Sequence, residues 1–166
     1  ILRDKDSFLI DTENAAHETI LKTISRFTLA GDFRVSDVTS ETALLTVQGR
    51  RAAEIIHAAL GTTDFTMIPA SHTADSGFDL ILDATERISI AEKLVAAGAE
   101  PVSADVFEIL RIEAGIARHG QDMDESTTPY EAGLAWTVAL DEGRAFIGRD
   151  VLEAQRKKGV PRQLVA

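Results

Sequence analysis

The chain has 166 residues, 45% hydrophobic and 27% charged, which gives material for one ordinary core and argues against wholesale disorder. Its formal charge is −10, from 27 acidic and 17 basic residues, a field that repels phosphate backbones and anionic surfaces. No apolar run approaches the ~20 residues of a bilayer span, neither end reads as a signal segment, and the absence of cysteine excludes disulfides, thiolate metal ligands and a cysteine nucleophile.

These features predict a soluble chain, with neither nucleic acid nor membrane among its partners. The basic group Arg156-Lys157-Lys158 and Arg162 is short and has no interleaved aromatics. The histidines (His17, His57, His72, His119) are far apart, with no pair at the helical spacing that zinc enzymes of the HExxH type require, so no metal is expected.

In chain order, Phe8-Leu9-Ile10 reads as a strand, followed by the N-cap types Asp11 and Thr12. Ala16, Ile20, Ile24 and Phe27 then share one helical face, and Gly31 ends the element. Phe33, Val35 and Val38 suggest a second strand, turned by Thr39-Ser40-Glu41, and the run Ala43–Val47 a third, more buried one. After Gln48-Gly49 a helix with Ala52, Ile55, Ile56 and Ala59 inward closes at Gly61. Phe65–Ile68 and Phe78–Leu82 are further strands, and Ile90, Leu94 and Val95 mark a helix stopped by Gly98 and Pro101. The order β-α-β-β-α-β-β-α predicts an α+β fold, its first six elements matching a ferredoxin-like split βαβ antiparallel sheet with helices on one side.

A further helix is expected over Ala104–Ala114, with Ser103 or Asp105 near its start, and a last one from Gly148 to about Lys158, ended by Gly159 and Pro161. Residues 162–166 read as the opening of a strand, and Ile1-Leu2-Arg3 as the continuation of an element. Between the last two helices the tract from Leu110 to Glu125 crowds arginines, a histidine and acids around spaced glycines, and a long irregular tract of this kind is usually functional or disordered. It suits a hydrogen-bond network of Arg111, Glu113 and Arg118, a ligand loop or a cation site. Asp122, Asp124 and Glu125 distantly resemble a calcium loop, but the glycine and closing glutamate of such a loop are out of position.

At these residues the sequence resembles the glycine cleavage T-protein (aminomethyltransferase) family. The resemblance rests on LRIEAGIARHGQDMDESTTPYEAGLAWTV, followed by FIGRDVL and KKGVPRQLV. Upstream, ALLTVQGRRAAEII and the turn Gly77-Phe78-Asp79 are similar to the family's corresponding segments. The likeness extends over nearly the whole chain. It implies the central part of the T-protein fold, with residues 1–100 a ferredoxin-like folate-binding subdomain and 101–166 a helix, polar loop and helix returning to the first domain. The family's C-terminal barrel is expected after Ala166, and its essential aspartate before Ile1, so the catalytic residue has no number here.

The resemblance also implies tetrahydrofolate as cofactor, a lipoyl carrier protein as partner, and transfer of a one-carbon unit to tetrahydrofolate with release of ammonia. The expected location is the cytoplasm, or the mitochondrial matrix in a eukaryote. The family's pterin-binding glutamate falls on Asp79, a shorter carboxylate, and its pocket tyrosine on His72. A carboxylate facing a pterin's paired N–H donors is chemically apt, because charge-assisted bidentate bonds are strong and directional. The family's pocket arginine falls on Phe107, a side chain able to stack on a flat ring, and its second, more structural arginine on Arg111.

Two alternatives follow from the same likeness. One is a non-catalytic folate-binding protein of the YgfZ type, acting in iron–sulfur cluster maintenance. Those proteins carry a cysteine motif where this chain has Glu142-Gly143-Arg144-Ala145-Phe146-Ile147-Gly148-Arg149. The other is the folate-binding part of a dimethylglycine or sarcosine dehydrogenase.

Overall fold

The alternating run Phe78-Asp79-Leu80-Ile81-Leu82 becomes the central strand of a three-stranded antiparallel sheet in the computed structural model, which describes residues 1–29, 31–61, 65–141 and 143–165. This strand, β5 (Gly77–Asp83), lies between β3 (Thr42–Gln48) and β4 (Thr66–Pro69) and is antiparallel to both. The two outer strands are therefore parallel to each other, joined through α2 (Ala52–Leu60), with a third strand inserted between them. This is the split βαβ arrangement.

Side chains alternate across a strand, so one set in β5 meets the helices and the other faces away. Leu80 and Leu82, with Val47 of β3, pack on Ala52, Ile55 and Ile56 of α2 and on Ile90 and Leu94 of α3 (Arg87–Ala96). Leu80 is fully buried at the centre of this cluster. Truncating a leucine in such a place typically costs about 2–5 kcal/mol. Ala43, Leu45 and Phe78 extend the same face in register, Ala43 opposite Leu82, Leu45 opposite Leu80 and Val47 opposite Phe78.

The expected strands at 43–47, 65–68 and 78–82 are β3, β4 and β5. The expected strand at Phe33, Val35 and Val38 does not form: the segment has no ladder, and it ends where the Thr39 amide donates to the Asp37 carboxylate at 3.0 Å. Its two alternations leave Phe33 well exposed, so there is little apolar burial to offset ordering a strand. Phe8-Leu9 likewise does not join the larger sheet. It belongs to a local hairpin, β1 (Leu2–Asp4) with β2 (Ser7–Leu9), Leu2 opposite Leu9. The α+β class stands, but the split βαβ is made by β3, α2, β4 and β5 rather than by the first six elements.

Contacts divide the chain into a continuous unit, Asp32–Ile116, and a second unit made of Ile1–Gly31 with Ala117–Ala166. The continuous unit includes α4 (Ala104–Glu113), whose first turn is capped by the Ser103 hydroxyl accepting the Val106 amide at 3.3 Å. The second unit contains the β1–β2 hairpin, α1 (Asn14–Phe27) and α5 (Arg149–Lys158). Helix α1 begins after Glu13 rather than at Asp11 or Thr12, and half-buries Ala16, His17, Ile20, Leu21 and Ile24 along one stripe. Arg162–Val165 is not a strand, although the Leu164 amide donates to the Glu131 carbonyl at 2.7 Å; Ala166, the last residue of that expected strand, lies outside the described residues. Among the described residues no helix is long and apolar enough to cross a membrane.

Candidate ligand site on the open face of the sheet

The alternation that sends Leu80 into the core sends Asp79 to the opposite face, in the middle of the central strand. Its cross-strand neighbours there are Thr46 on β3 and Ile68 on β4. Asp79 is 8% exposed, a carboxylate largely withdrawn from water, and such a group requires a hydrogen-bonding partner. The loop between β4 and β5 supplies one: His72 Nε2 lies 3.0 Å from each Asp79 oxygen.

That loop is held by Gln48, the last residue of β3. The Gln48 side-chain oxygen accepts the His72 amide at 2.9 Å, while its Nε2 donates to the Ala70 carbonyl at 3.0 Å and to the Thr46 hydroxyl at 2.7 Å. Gly77 is paired with Gln48 in the ladder, and a Cβ at Gly77 would fall 2.4 Å from the Gln48 amide group. The absence of a side chain at Gly77 is therefore what lets the amide lie across the strand and reach the loop. Within the loop the Ser71 hydroxyl donates to the Asp75 carbonyl at 2.7 Å.

Helix α4 completes the cluster. The Phe107 ring centroid stands 6.0 Å from that of His72, with the planes tilted by 55°, a favourable arrangement for two rings. The structure thus brings together Asp79, His72 and Phe107. Arg111 follows Phe107 by one helical turn on the same side of α4, but its guanidinium pairs with Glu108 and donates to the Ile116 carbonyl at 3.0 Å. It is only 5% exposed, and these contacts fasten the C-terminal end of its own helix. The apolar run that marks β3 gives no weight to its polar members Thr46 and Gln48. The one signal for them is that both occupy the same alternate positions of β3, on the face that Asp79 shares.

The expected network of Arg111, Glu113 and Arg118 is not what forms: Arg111 pairs with Glu108 and Arg118 with Glu13, while in the second unit a network forms around Glu131. The Thr128 amide donates to Glu131 Oε2 at 2.9 Å and the Glu131 amide to the Thr128 hydroxyl at 3.3 Å, a reciprocal capping box over the turn that begins at Pro129. Arg162 donates to Glu131 Oε1 at 3.1 Å and to the Ser126 carbonyl at 2.9 Å. The Thr128 amide first, and then Arg162, hold the Glu131 carboxyl below its ordinary pKa. Asp124 is lowered too, chiefly by the Ser126 hydroxyl and amide, and Asp122 accepts the Arg118 amide at 2.8 Å. Asp122 and Asp124, two of the acids that distantly resemble a calcium loop, are thus engaged with their own backbone. Among the described residues no group of three or more His, Asp or Glu is disposed to hold a metal ion.

Arg149, at the start of α5, donates to the Leu140 carbonyl at 2.6 Å and to the Arg144 carbonyl at 2.8 Å, which fastens the preceding loop to the helix. Glu142, in the stretch compared above with a cysteine motif, lies outside the described residues.

A split βαβ sheet thus defines an α+β protein, with a withdrawn carboxylate on the face away from its core and an imidazole, backed by a phenyl ring, across that carboxylate. The family model described as the GCVT N-terminal domain matches residues 57–142, and the chain belongs to this family. The aminomethyltransferase of Xanthomonas axonopodis pv. citri (strain 306) is 44% identical over 126 residues, covering 76% of this chain and 34% of that protein. The aminomethyltransferase of Xanthomonas oryzae pv. oryzae (strain MAFF 311018) is 37% identical over an alignment of 183 residues, covering 97% of this chain and 49% of that protein. The chain therefore spans half or less of the length of these relatives. Among solved structures, the glycine cleavage system aminomethyltransferase T from Bartonella henselae has the same fold, with a TM-score of 0.72 at 24% identity over 87% of this chain and 44% of that one.

Proposed function

We propose that the protein carrying this chain is an aminomethyltransferase of the glycine cleavage type, which passes a one-carbon unit to tetrahydrofolate with release of ammonia. The similarity to curated aminomethyltransferases supports the reaction class. The observation that carries the ligand assignment is the carboxylate of Asp79, nearly buried, with His72 across its oxygens and Phe107 beside the His72 ring.

The donor set fits a pterin. Its adjacent N–H groups need a carboxylate in fork geometry, and its flat ring needs flat apolar neighbours. Asp79 would accept those N–H groups, Phe107 would lie against the ring, and Arg111 would keep α4, and with it Phe107, in place. When bound, tetrahydrofolate supplies the nitrogens that take up the one-carbon unit. A lipoyl carrier protein is the donor's natural vehicle in this reaction class, and the bacterial relatives support a cytoplasmic setting.

The test is calorimetric. The intact protein should bind tetrahydrofolate, and Asp79→Asn should weaken that binding by about tenfold or more, the scale of a hydrogen bond to a charged group. The protein should also form methylene-tetrahydrofolate from an aminomethyl-loaded lipoyl carrier. An intact protein with no measurable affinity for tetrahydrofolate overturns the assignment.

A further inference from the structure

The carboxylate on the open face of the sheet already has an occupant. His72 Nε2 is equidistant from the two Asp79 oxygens, at 3.0 Å from each, so it sits across the fork of the carboxylate rather than on one edge. The His72 side chain is 36% exposed and that of Asp79 12%, so the imidazole is the more accessible partner of the pair. Its backbone is tethered through the Gln48 side-chain oxygen, and its ring is backed by Phe107. The pairing is thus supported from β3, from the β4–β5 loop and from α4, and is not the chance rotamer of a free surface histidine.

A pair of parallel N–H donors needs the same fork that Nε2 now bridges. The two arrangements exclude each other at one carboxylate. We propose that His72 is an internal stand-in for the ligand's donors, which any ligand using Asp79 in bidentate fashion must displace, and that this exchange weakens binding and selects for ligands with paired N–H donors. A ligand with a single donor gains no more from Asp79 than His72 already provides, so it lacks the second bond that would drive the exchange. The proposal rests on the reading of Asp79 as the ligand's acceptor.

The intact protein and its His72→Gln, His72→Ala and Asp79→Asn variants are titrated with tetrahydrofolate by calorimetry under reducing conditions, each first checked for an unchanged unfolding transition. Removing the competing donor should tighten binding by about tenfold in His72→Ala, the scale set by a hydrogen bond to a charged group. His72→Gln keeps a neutral donor and should fall between His72→Ala and the unmodified protein, which keeps the proposal testable should the alanine variant fail to fold. Unchanged or weaker binding in the His72 variants, with the unmodified protein binding and Asp79→Asn impaired, overturns the stand-in role and leaves the folate reading intact. Loss of binding in all four proteins overturns the folate reading, and the stand-in role with it.

Discussion

Glu131 illustrates how a single buried acid can be committed to structure. It is buried, accepts the Thr128 amide and faces Arg162, and its carboxyl is held below the ordinary value by those partners, the amide foremost. A carboxyl with a depressed folded-state pKa stabilises the fold wherever the unfolded chain would also be ionised, and that contribution fades as the pH falls through the folded value. Unfolding measured between neutral and acidic pH should therefore show Glu131→Gln less stable than the unmodified protein near neutrality, with the gap closing toward low pH. A gap that widened on acidification would contradict the arrangement. Asp79 differs in where its partner lies: His72 belongs to the loop between β4 and β5, outside the strand ladder.

At the scale of elements, the turn into β5 depends on an absent side chain. A methyl group at Gly77 would meet the Gln48 amide, which ties the β4–β5 loop down at Ala70 and His72. Gly77→Ala should push that amide aside and loosen the loop while leaving the core strands paired. Faster hydrogen exchange at the His72 amide, with Leu80 and Leu82 still protected, is the expected signature; equal protection at His72 would show that the loop does not rely on Gln48.

The same elements explain what could be read from the sequence. Runs such as Phe78–Leu82 and Ala43–Val47 carry enough alternating or continuous apolar residues to bury a face, and they form strands in register. Phe33–Val38 has the alternation but too little apolar area and an Asp37 turn beside it, so local hydrogen bonding prevails. Asp79 was legible because alternation assigns it a face and the resemblance assigns it a role. The partnership with His72 and the anchoring by Gln48 were not, since the first depends on how the irregular β4–β5 loop folds back over seven residues and the second joins positions 24 residues apart, neither of which a local pattern encodes.

For the whole molecule, apolar burial is unevenly shared. Of the buried hydrophobic residues described, Val47, Ala52, Ile55, Ile56, Leu80, Leu82, Ile90 and Leu94 lie in the continuous unit, and only Ala132 and Leu140 in the other. The second unit is held instead by ionic and capping contacts, among them Arg118 with Glu13 at 3.2 Å and Arg156 with Asp141 at 2.8 Å, and exposed pairs of this type contribute little individually. A fragment of residues 32–116 should therefore retain a cooperative thermal transition by circular dichroism, driven by its own cluster. A broad, non-cooperative melt would show that the cluster depends on the flanking segments.

The path of the chain has a bearing on its biosynthesis. Ile1–Gly31 must wait for Ala117–Ala166 before its unit can assemble, while Asp32–Ile116 has all its parts as soon as it leaves the ribosome. Translation from the N-terminus thus favours the middle of the chain maturing first, with helix α1 and its apolar stripe held in reserve as a nascent segment. The α1 stripe should accordingly stay uncovered during synthesis until the later segment of its unit, Ala117–Ala166, has been made.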